Sequence, residues 1–375
     1  MIIVFSRSTE LNGIGEIKRA LPKLNHNYVA VDDLMGLILL LTRRENQIDA
    51  IFSLSSNDYL LALCVTRLVG KKIAHISGVF HPRQWYVMLD ERVSRKRAAV
   101  FRRVMNKTSA KNIVYNSTSA YASCMKILKI YGDPNLCIPP SITPLEKPSN
   151  EIDSDDGCLK IVTIGRFVNF KTPSILRMIE LVDLINDSKA ISLRYYIYGS
   201  GPDQHILASK ISKLKNPDFV KMMGPVSREN FSNVVSGSDL FFGMGFSVVH
   251  AAMLKVPSLV AIQGELGPYT YGYFSDFDHS VEPVFGDEMP SLEKKNISDI
   301  LFQFIAKKAS ERMIIGEKCK VAAKVYEGSE VEARLTRIIG FAERENAPFV
   351  SFLEILKIRL DTWLARTKKI DAEQT

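Results

Sequence analysis

Two cations follow an apolar run in the second half of the chain. The segment Ile161–Lys171 has the sequence IVTIGRFVNFK, in which Gly165 and Arg166 end a β-branched run and Lys171 comes five residues after Arg166. In open α/β folds, ligands bind at the carboxyl edge of the parallel sheet, where a strand ending at Gly165 would place both cations. The planar fork of arginine and the point charge of lysine suit a diphosphate. The alternative is a pair of surface cations that flank a loop.

Small residues further along form a second candidate for anion binding. Residues 242–253 have the sequence FGMGFSVVHAAM, in which Gly243, Met244, Gly245 and Ser247 lead into a helical pattern. The first N–H groups of a helix have no partner within the helix, and the helix dipole favours negative charge at this end. The sequence therefore predicts an anion pocket where this helix begins.

Four segments together resemble the retaining GT-B glycosyltransferases, a large family also described as group 1 glycosyl transferases. Gly165–Lys171 is similar to the family's Gly-Arg-x4-Lys motif, and Tyr196–Pro202 is similar to its strand followed by Gly-x-Gly-Pro. Met223–Glu229 is similar to the family's loop near the donor base, and Ser238–Phe241 is similar to its strand before the donor loop. The resemblance spans Ile161 to Val260. It implies an α/β protein with two Rossmann-like, doubly wound parallel-sheet domains that face a central cleft.

The resemblance implies a role for each matching residue. Arg166 and Lys171 would grip the donor pyrophosphate and serve catalysis. The other donor-binding positions would be Gly199, Gly224, Pro225, Val226, Gly243, Met244, Gly245, Ser247 and His250. The family retains anomeric configuration and works without a bound metal. The resemblance therefore implies no cofactor and no metal site, with the nucleotide diphosphate sugar as substrate.

The chain departs from the family at two positions. The usual pattern has two glutamates in this stretch, and these positions are Phe242 and His250 here. The Gly-Met-Gly-x-Ser form resembles a divergent subgroup that lacks the first glutamate, whereas the second normally holds the ribose hydroxyls. A neutral imidazole has one donor and one acceptor, so His250 would hold a single hydroxyl in this way. The alternative is that His250 packs within the helix and a neighbour holds the ribose.

Candidates in the first half match the family more weakly. Gly13 and Gly15 follow the first apolar run, where the family has a glycine-rich loop near the donor phosphates. They lie too far from the strand for a dinucleotide fingerprint, so a nicotinamide-dependent oxidoreductase is a poor fit. His75 is predicted to end the fourth strand and to face the cleft near the transferred sugar as a catalytic residue. Its alternative role is a hydrogen-bonded histidine that closes a strand.

Strand and helix patterns alternate along the chain, which predicts a doubly wound parallel sheet in each half. The predicted strands are Ile2–Phe5, Tyr28–Val31, Ala50–Leu54, Lys72–Ile76, Asn112–Tyr115, Leu159–Ile164, Ser192–Tyr198, Val220–Met223, Leu240–Phe242 and Ser258–Ile262. The predicted helices are Asp58–Leu68, Tyr86–Met105, Thr172–Asn186, Asp203–Leu214, Arg228–Val235, Val248–Leu254 and Phe349–Arg366. The predicted domains are an acceptor domain over 1–143, an acidic linker over 144–158, a donor domain over 159–335, and helices over 336–375 that pack back on the first domain.

Composition limits the class of protein. A chain of 375 residues favours two domains, and 46% hydrophobic with 24% charged residues is ordinary for a globular protein rather than a disordered or fibrous one. Five cysteines without a Cys-x-x-Cys spacing argue against a disulfide framework or a zinc site and favour a reducing cytoplasm. We find no stretch long enough to span a membrane.

The net charge of +8 requires an anionic partner. The absence of an aromatic-rich basic motif argues against nucleic acid. The segments Arg92–Lys111 and Phe349–Arg366 combine apolar residues with lysine and arginine. They are either ordinary packed helices with a solvated face or peripheral contacts with an anionic membrane.

The resemblance therefore implies a glycosyltransferase that uses a UDP- or GDP-linked sugar and a saccharide or lipid-linked acceptor. We expect it in the cytoplasm, or peripherally on the inner face of the plasma membrane, in bacterial surface polysaccharide biosynthesis (capsule, lipopolysaccharide or O-antigen). The alternatives are a non-catalytic GT-B partner or glycan-binding protein, and a sugar-nucleotide epimerase. The identities of the sugar, the base and the acceptor do not follow from the sequence.

Overall fold

The computed structural model describes residues 1–5, 28–43, 46–80, 84–128, 137–138, 158–187, 192–279, 284, 286, 289, 292–342, 350–351 and 353–358. The chain divides into two compact units. The first unit comprises Met1–Thr143 and Tyr326–Thr375, and the second comprises Pro144–Val325. The predicted acidic linker lies outside the described residues except for Cys158. The predicted boundary at residue 335 differs from the observed division, because it falls inside a helix of the first unit.

The first unit contains a parallel five-stranded sheet. Its strands are β1 (Ile2–Phe5), β2 (Tyr28–Val31), β3 (Ala50–Ser53), β4 (Ala74–Val79) and β5 (Ile113–Tyr115), and their order in the sheet is β2-β1-β3-β4-β5. The helices between them are α1 (Leu34–Thr42), α2 (Ser56–Val69), α3 (Gln84–Leu89), α4 (Arg95–Met105) and α5 (Thr118–Leu128). Strands β1, β3, β4 and β5 are buried throughout, as their near-continuous apolar sequences require for a sheet covered on both faces.

Residues from the end of the chain complete the core of the first unit. Helix α12 (Gly328–Phe341) buries Leu335 and Ile338 in a cluster with Val4 of β1. On the other face of the sheet, Ile355 and Ile358 of a short helix over residues 353–358 join the cluster that contains Ile3 and Phe101. The C-terminal residues thus cover both faces of this sheet.

Two predicted elements of the first unit were wrong. The fourth strand runs over Ala74–Val79 instead of Lys72–Ile76. The single helix predicted over Tyr86–Met105 is two helices, α3 and α4, separated by a turn in which the Asp90 carbonyl accepts from the N–H groups of Val93 and Ser94. The Ser94 hydroxyl then accepts from the Arg97 N–H and caps α4, so that a new helix begins there.

The second unit contains a seven-stranded sheet. Its strands are β6 (Leu159–Ile164), β7 (Leu193–Tyr198), β8 (Val220–Gly224), β9 (Leu240–Gly243), β10 (Ser258–Ala261), β11 (Tyr269–Tyr273) and β12 (Lys295–Asn296), in the order β12-β11-β10-β9-β6-β7-β8. Strand β11 pairs antiparallel with both β10 and β12, and the other pairs are parallel. The helices are α6 (Thr172–Asp187), α7 (Gln204–Ile211), α8 (Arg228–Ser236), α9 (Phe246–Met253), α10 (Ile297–Ala306) and α11 (Ala309–Ala323).

The order of these strands reverses between β6 and β9. From β6, the chain builds outward through β7 and β8, and it then crosses to the other side of β6 to form β9 and β10. Such a reversal is a topological switch point, and it leaves a crevice at the carboxyl ends of the two central strands. Among the described residues, no helix has the length and apolar character needed to cross a membrane.

Candidate functional site

Strands β6 and β9 part at their carboxyl ends. The ladder between them pairs Ile161 with Leu240 and Val162 with Phe241. Beyond these pairs, β6 continues to Ile164 beside β7, whereas β9 continues to Gly243 beside β10. A gap therefore opens in the sheet at the switch point.

A pocket lies in this gap. Its lining includes Thr163, Gly165, Lys171, Ser174, Gly243 and Met244. These residues lie at the ends of strands β6 and β9, directly after these strands, or around the beginning of α6. The structure thus brings the segment with the two predicted cations next to the predicted anion pocket.

Lys171 is the cation that lines the pocket. It immediately precedes α6, and its side chain is half-buried, with Nζ close to Gly165. Burial, and secondarily the charge of Arg166, lowers the pKa of Lys171. Arg166 is exposed. Among the residues that the structure describes, no carboxylate forms an ion pair with either cation, so this end of the sheet carries uncompensated positive charge.

The glycine loop, defined here as Gly243–Ser247, supplies backbone N–H groups on the other side of the gap. Gly243 ends β9, and Gly245 (φ 73°) precedes α9 with open space where a side chain would stand. The Ser247 hydroxyl donates to the Met244 carbonyl and closes the turn. Among the residues that the structure describes, no side chain caps α9. The positive end of α9 is therefore available to an anion.

Gly199 joins three loops through their backbones. A Cβ atom at Gly199 (φ 147°) would overlap the Gly165 carbonyl oxygen, and the Gly199 N–H donates to the Gly224 carbonyl at 2.8 Å. Similarly, a Cβ at Gly201 would overlap the carbonyl of Phe167. These glycines let the loops after β6, β7 and β8 lie side by side. The structure accounts for Gly199 by loop packing.

Pro225 and Val226, predicted to lie near the donor base, follow β8 directly. Pro225 is exposed and Val226 is half-buried, and they precede Ser227, whose hydroxyl caps α8 by accepting from the Asn230 N–H. They therefore lie at the carboxyl edge of the same sheet as Lys171, although on a different strand.

His250 lies in α9 and is buried. Its ring contacts that of Phe231 of α8, with the centroids 5.6 Å apart. Burial, with a smaller contribution from Arg228, lowers the pKa of His250 to about 4. Phe242, at the other altered position, is also fully buried, in the core beneath the sheet. These environments favour the packing role for His250 over the predicted contact with a ribose.

The predicted position of His75 at the end of a strand was wrong. Because β4 runs over Ala74–Val79, His75 is its second residue and pairs with Ile51, away from the carboxyl edge. Neither ring nitrogen of His75 has a hydrogen-bond partner among the described residues, and burial lowers its pKa to about 4. His75 is thus a neutral residue in the core of the first unit. Gly13 and Gly15 lie outside the described residues.

The sequence did not single out Thr163, Ser174 or Tyr195. Thr163 and Ser174 line the pocket, and Tyr195 contacts Thr163 from β7. Nothing in the local pattern distinguishes them, because threonine and tyrosine are common strand residues and Ser174 lies in an ordinary first helical turn. In the part of the chain that the structure describes, no group of three or more His, Cys, Asp or Glu side chains is arranged to hold a metal ion.

Comparison with known proteins relates the chain to glycosyltransferases by structure alone. No protein-family model and no curated protein matches it. Among solved structures, Anabaena HepE in complex with UDP has a TM-score of 0.60 and 12% identity over 91% of this chain and 99% of that chain. The lipopolysaccharide outer core galactosyltransferase WaaB has a TM-score of 0.54 and 13% identity over 91% and 99%. WaaG, a glycosyltransferase involved in lipopolysaccharide biosynthesis, has a TM-score of 0.52 and 11% identity over 90% and 99%. The fold is GT-B, as predicted.

Proposed function

We propose that the protein is a glycosyltransferase that binds the diphosphate of a nucleotide sugar in the pocket of its second unit. The observation that carries the proposal is the half-buried Lys171, which faces a glycine-rich turn at the switch point of the sheet without an acidic partner among the described residues. Holding a cation in partly apolar surroundings is unfavourable unless an anion joins it. A diphosphate would provide that anion.

Solved structures with the same fold support a nucleotide sugar as the ligand. HepE has been crystallised with UDP, with UDP-glucose, and with UDP and glucose. The chain has the backbone elements for such a ligand: the glycine loop for the phosphates, and the Gly224–Val226 turn for the base. We propose UDP- or GDP-linked sugars as donors.

The chemistry follows from where charge develops. When the bond between the sugar and the diphosphate breaks, negative charge grows on the leaving phosphate oxygen. Lys171, Arg166 and the positive end of α9 would stabilise this charge more in the transition state than in the ground state, which is the condition for catalysis. We propose that this positive charge supports transfer with retention of configuration and without a bound metal.

For the acceptor, we propose a saccharide or lipid-linked saccharide of bacterial surface polysaccharide assembly at the cytoplasmic face of the membrane. Two proteins that share the fold are the lipopolysaccharide outer core galactosyltransferase WaaB and WaaG, a glycosyltransferase involved in lipopolysaccharide biosynthesis. In the first unit, Arg95, Lys96 and Lys107 are exposed on or beside α4, and the exposed Leu353 and Leu356 lie on the helix that Glu354 links to Arg103 at 2.9 Å. Basic and apolar side chains thus occur on neighbouring helices, as an anionic lipid surface requires.

The proposal is tested by a thermal-shift screen of UDP, GDP, CMP and their common sugars, followed by titration calorimetry of the best ligand. A nucleoside has no phosphates, so it cannot make the proposed contacts with Lys171 and the glycine loop. We therefore expect uridine or guanosine to shift the melting temperature far less than the corresponding diphosphate. Equal shifts by nucleoside and diphosphate, or no shift by any nucleotide, would remove the proposal.

A second candidate function is a GT-B protein that binds a nucleotide sugar without transferring the sugar. The observation that favours it is that the two positions normally occupied by glutamates hold buried, packed side chains, Phe242 and His250. Release of UDP from UDP-glucose, or of GDP from GDP-mannose, with and without saccharide acceptors separates the two functions. Turnover that is abolished by Lys171→Ala supports the enzyme, whereas donor binding without any turnover supports the non-catalytic protein. Conversion of the free donor sugar to its epimer would indicate an epimerase.

A further inference from the structure

A buried hydrogen-bond chain crosses the gap where β6 and β9 part. The Thr163 Oγ1 donates to the Phe242 carbonyl oxygen at 2.6 Å. The Tyr195 hydroxyl lies 2.7 Å from the same Oγ1. A threonine hydroxyl has one proton, and this proton is used on the carbonyl, so Tyr195 is the donor in the second bond. The chain therefore runs in one direction, from Tyr195 through Thr163 to the backbone of β9.

This hydrogen-bond chain begins where the backbone ladder between β6 and β9 ends. The last ladder pair between β6 and β9 is Val162 with Phe241, and the Thr163 side chain bonds the carbonyl of the next residue, Phe242. Thr163, Tyr195 and Phe242 are all buried, and Tyr195 and Phe242 belong to the apolar core of the second unit. Hydroxyl groups in such surroundings are unfavourable unless each has a partner, so the three groups depend on one another.

The Phe242 carbonyl belongs to the peptide bond that leads into the glycine loop. Because a peptide unit is planar, fixing this carbonyl also fixes the plane of the Gly243 N–H and the direction in which the loop leaves β9. On its other side, β9 pairs with β10 as far as Gly243, and within the loop Met244 is buried and its carbonyl accepts from the Ser247 hydroxyl. On the β6 side, beyond the last ladder pair, the Thr163 hydroxyl thus helps to hold the Phe242 carbonyl and the starting direction of the loop.

We propose that Thr163 and Tyr195 are positioning residues that hold the glycine loop ready for the donor diphosphate. The identity of the ligand rests on the proposed function, whereas the ordering of the loop by these two residues does not. A loop that is already ordered loses less conformational entropy on binding, and neither Thr163 nor Tyr195 has to touch the ligand for this effect. Sequence patterns for donor binding would not include them, because both residues lie inside strands.

Four variants test the proposal. Thr163→Val keeps the shape and removes the hydroxyl, Tyr195→Phe removes only the outer bond, and Thr163→Ser keeps both bonds. Ser258→Ala is the matched control, because Ser258 also has a buried hydroxyl that donates to a backbone carbonyl, that of Val256 at 2.8 Å, at the amino end of β10. Each variant is measured by hydrogen–deuterium exchange without ligand, by titration with UDP and GDP, and by melting temperature.

We expect the amides of the glycine loop to exchange about tenfold faster in Thr163→Val, with a smaller increase in Tyr195→Phe. The dissociation constant of the bound nucleotide should rise in the same order. Thr163→Ser should restore both quantities, and Ser258→Ala should lower the melting temperature without changing either. If Thr163→Val fails to fold, Tyr195→Phe and Thr163→Ser still decide the outcome.

Unchanged exchange in the loop in both Tyr195→Phe and Thr163→Val would overturn the proposal, as would equal effects of the Ser258→Ala control. The exchange measurement needs no nucleotide. If the parent protein binds neither UDP nor GDP, the proposed function fails, while the exchange data still decide whether the two residues position the loop. The two failures are therefore distinguishable.

Discussion

The ammonium group of Lys171 determines what the pocket can hold. It is half-buried, its pKa is lowered by burial and by Arg166, and it has no acidic partner in the described part of the chain. Most surface lysines differ from Lys171, because they are solvated and often paired with a carboxylate. The difference between an exposed and a partly buried cation decides how strongly each would bind a phosphate, because screening by water weakens the exposed one.

We predict that Lys171→Ala weakens binding of the nucleoside diphosphate more than Arg166→Ala does. A charge-assisted contact contributes about 1.5–3 kcal/mol, so the dissociation constant should rise at least tenfold for Lys171→Ala. Arg166 is exposed, and its loss should cost less and depend more on salt. Calorimetric titration at two salt concentrations measures both. Lys213→Ala, which removes one exposed charge from the same unit, is the control. If Lys171→Ala and Arg166→Ala both bind the nucleotide as tightly as the parent protein, the phosphates bind elsewhere.

The environment of His250 changes the effect expected for His250→Glu. If the residue faced a ribose, a glutamate would tighten binding. Because His250 is buried against Phe231 with a pKa of about 4, we predict instead that the glutamate buries a charge and destabilises the protein. The melting temperature should fall by several degrees and nucleotide affinity should not improve. His205→Glu, at an exposed position of α7, is the matched control. Tighter nucleotide binding by His250→Glu would instead support the hypothesis that residue 250 contacts the ribose.

At the scale of the elements, the C-terminus of α9 contains a strained residue. Lys255 has φ 65°, its N–H donates to the Ala252 carbonyl, and the Val256 N–H donates to the Ala251 carbonyl. This pattern is a Schellman motif, in which glycine is the usual residue at the position of Lys255. The backbone of this turn also lies against α11, since a Cβ at Gly316 would overlap the Lys255 carbonyl.

We predict that Lys255→Gly stabilises the second unit by about 1 kcal/mol, because glycine adopts a positive φ without steric cost. The ion pair of Lys255 with Glu317 is lost, but it is exposed and contributes little. Lys255→Ala is the control, since it removes the ion pair and keeps the strain. Chemical denaturation of the three proteins measures the effect. A Lys255→Gly protein no more stable than Lys255→Ala would mean that the turn is not strained.

The strand and helix patterns predicted most elements of both units, because they depend on local apolar periodicity that the sequence displays directly. The segment Leu159–Ile164 is an example, since its predicted and observed bounds agree. His75 was misplaced because the bounds of β4 lie two to three residues later than predicted, and this shift moves a side chain from the edge of the sheet into its interior. The contacts of Thr163 with Tyr195 and Phe242 join residues about 30 and 80 positions apart, so no local pattern contains them.

At the scale of the whole molecule, three of the histidines that the structure describes are buried, and they make stability depend on pH. His75 lies in the first unit, and His250 and His279 lie in the second; burial is the main cause that lowers the pKa of each to about 4. The unfolded chain protonates these residues near pH 6.5, and the folded protein does so only near pH 4. Between these values the unfolded state binds more protons, so stability is full above pH 6.5 and is lost as the pH falls toward 4.

We therefore predict that the free energy of unfolding decreases between pH 6.5 and pH 4 with a slope approaching three protons, about 1.4 kcal/mol per pH unit for each. His75→Leu should reduce the slope by one proton, because the ring of His75 makes no hydrogen bond among the described residues that the substitution would break. His205→Leu, an exposed control, should leave the slope unchanged. Denaturant titrations at half-unit pH intervals measure the slope. An identical slope in His75→Leu would show that this residue titrates normally.

The exposed basic and apolar residues of the first unit predict binding to anionic lipid. We expect the protein to float with vesicles that contain phosphatidylglycerol at low salt and to be released at high salt, because each basic residue near the surface contributes about 1 kcal/mol that salt screens. Arg95→Glu with Lys96→Glu should weaken binding at all salt concentrations. Leu353→Ser should weaken the part that salt does not remove. Lys213→Glu, in the second unit, is the control. Equal flotation with neutral and anionic vesicles would remove the electrostatic contribution.

Lys171 and Arg166 have no acidic partner in the described part of the chain, which has a practical consequence for handling the protein. A positive pocket beside an uncapped helix end attracts small inorganic anions as well as nucleotides. We expect phosphate or sulfate in a purification buffer to occupy the pocket, to raise the apparent melting temperature and to compete with the donor in activity assays. Measurements in a sulfonate buffer with chloride as the only small anion would show the true affinity for a nucleotide, and a phosphate titration of the same sample would show how much of it a common buffer conceals.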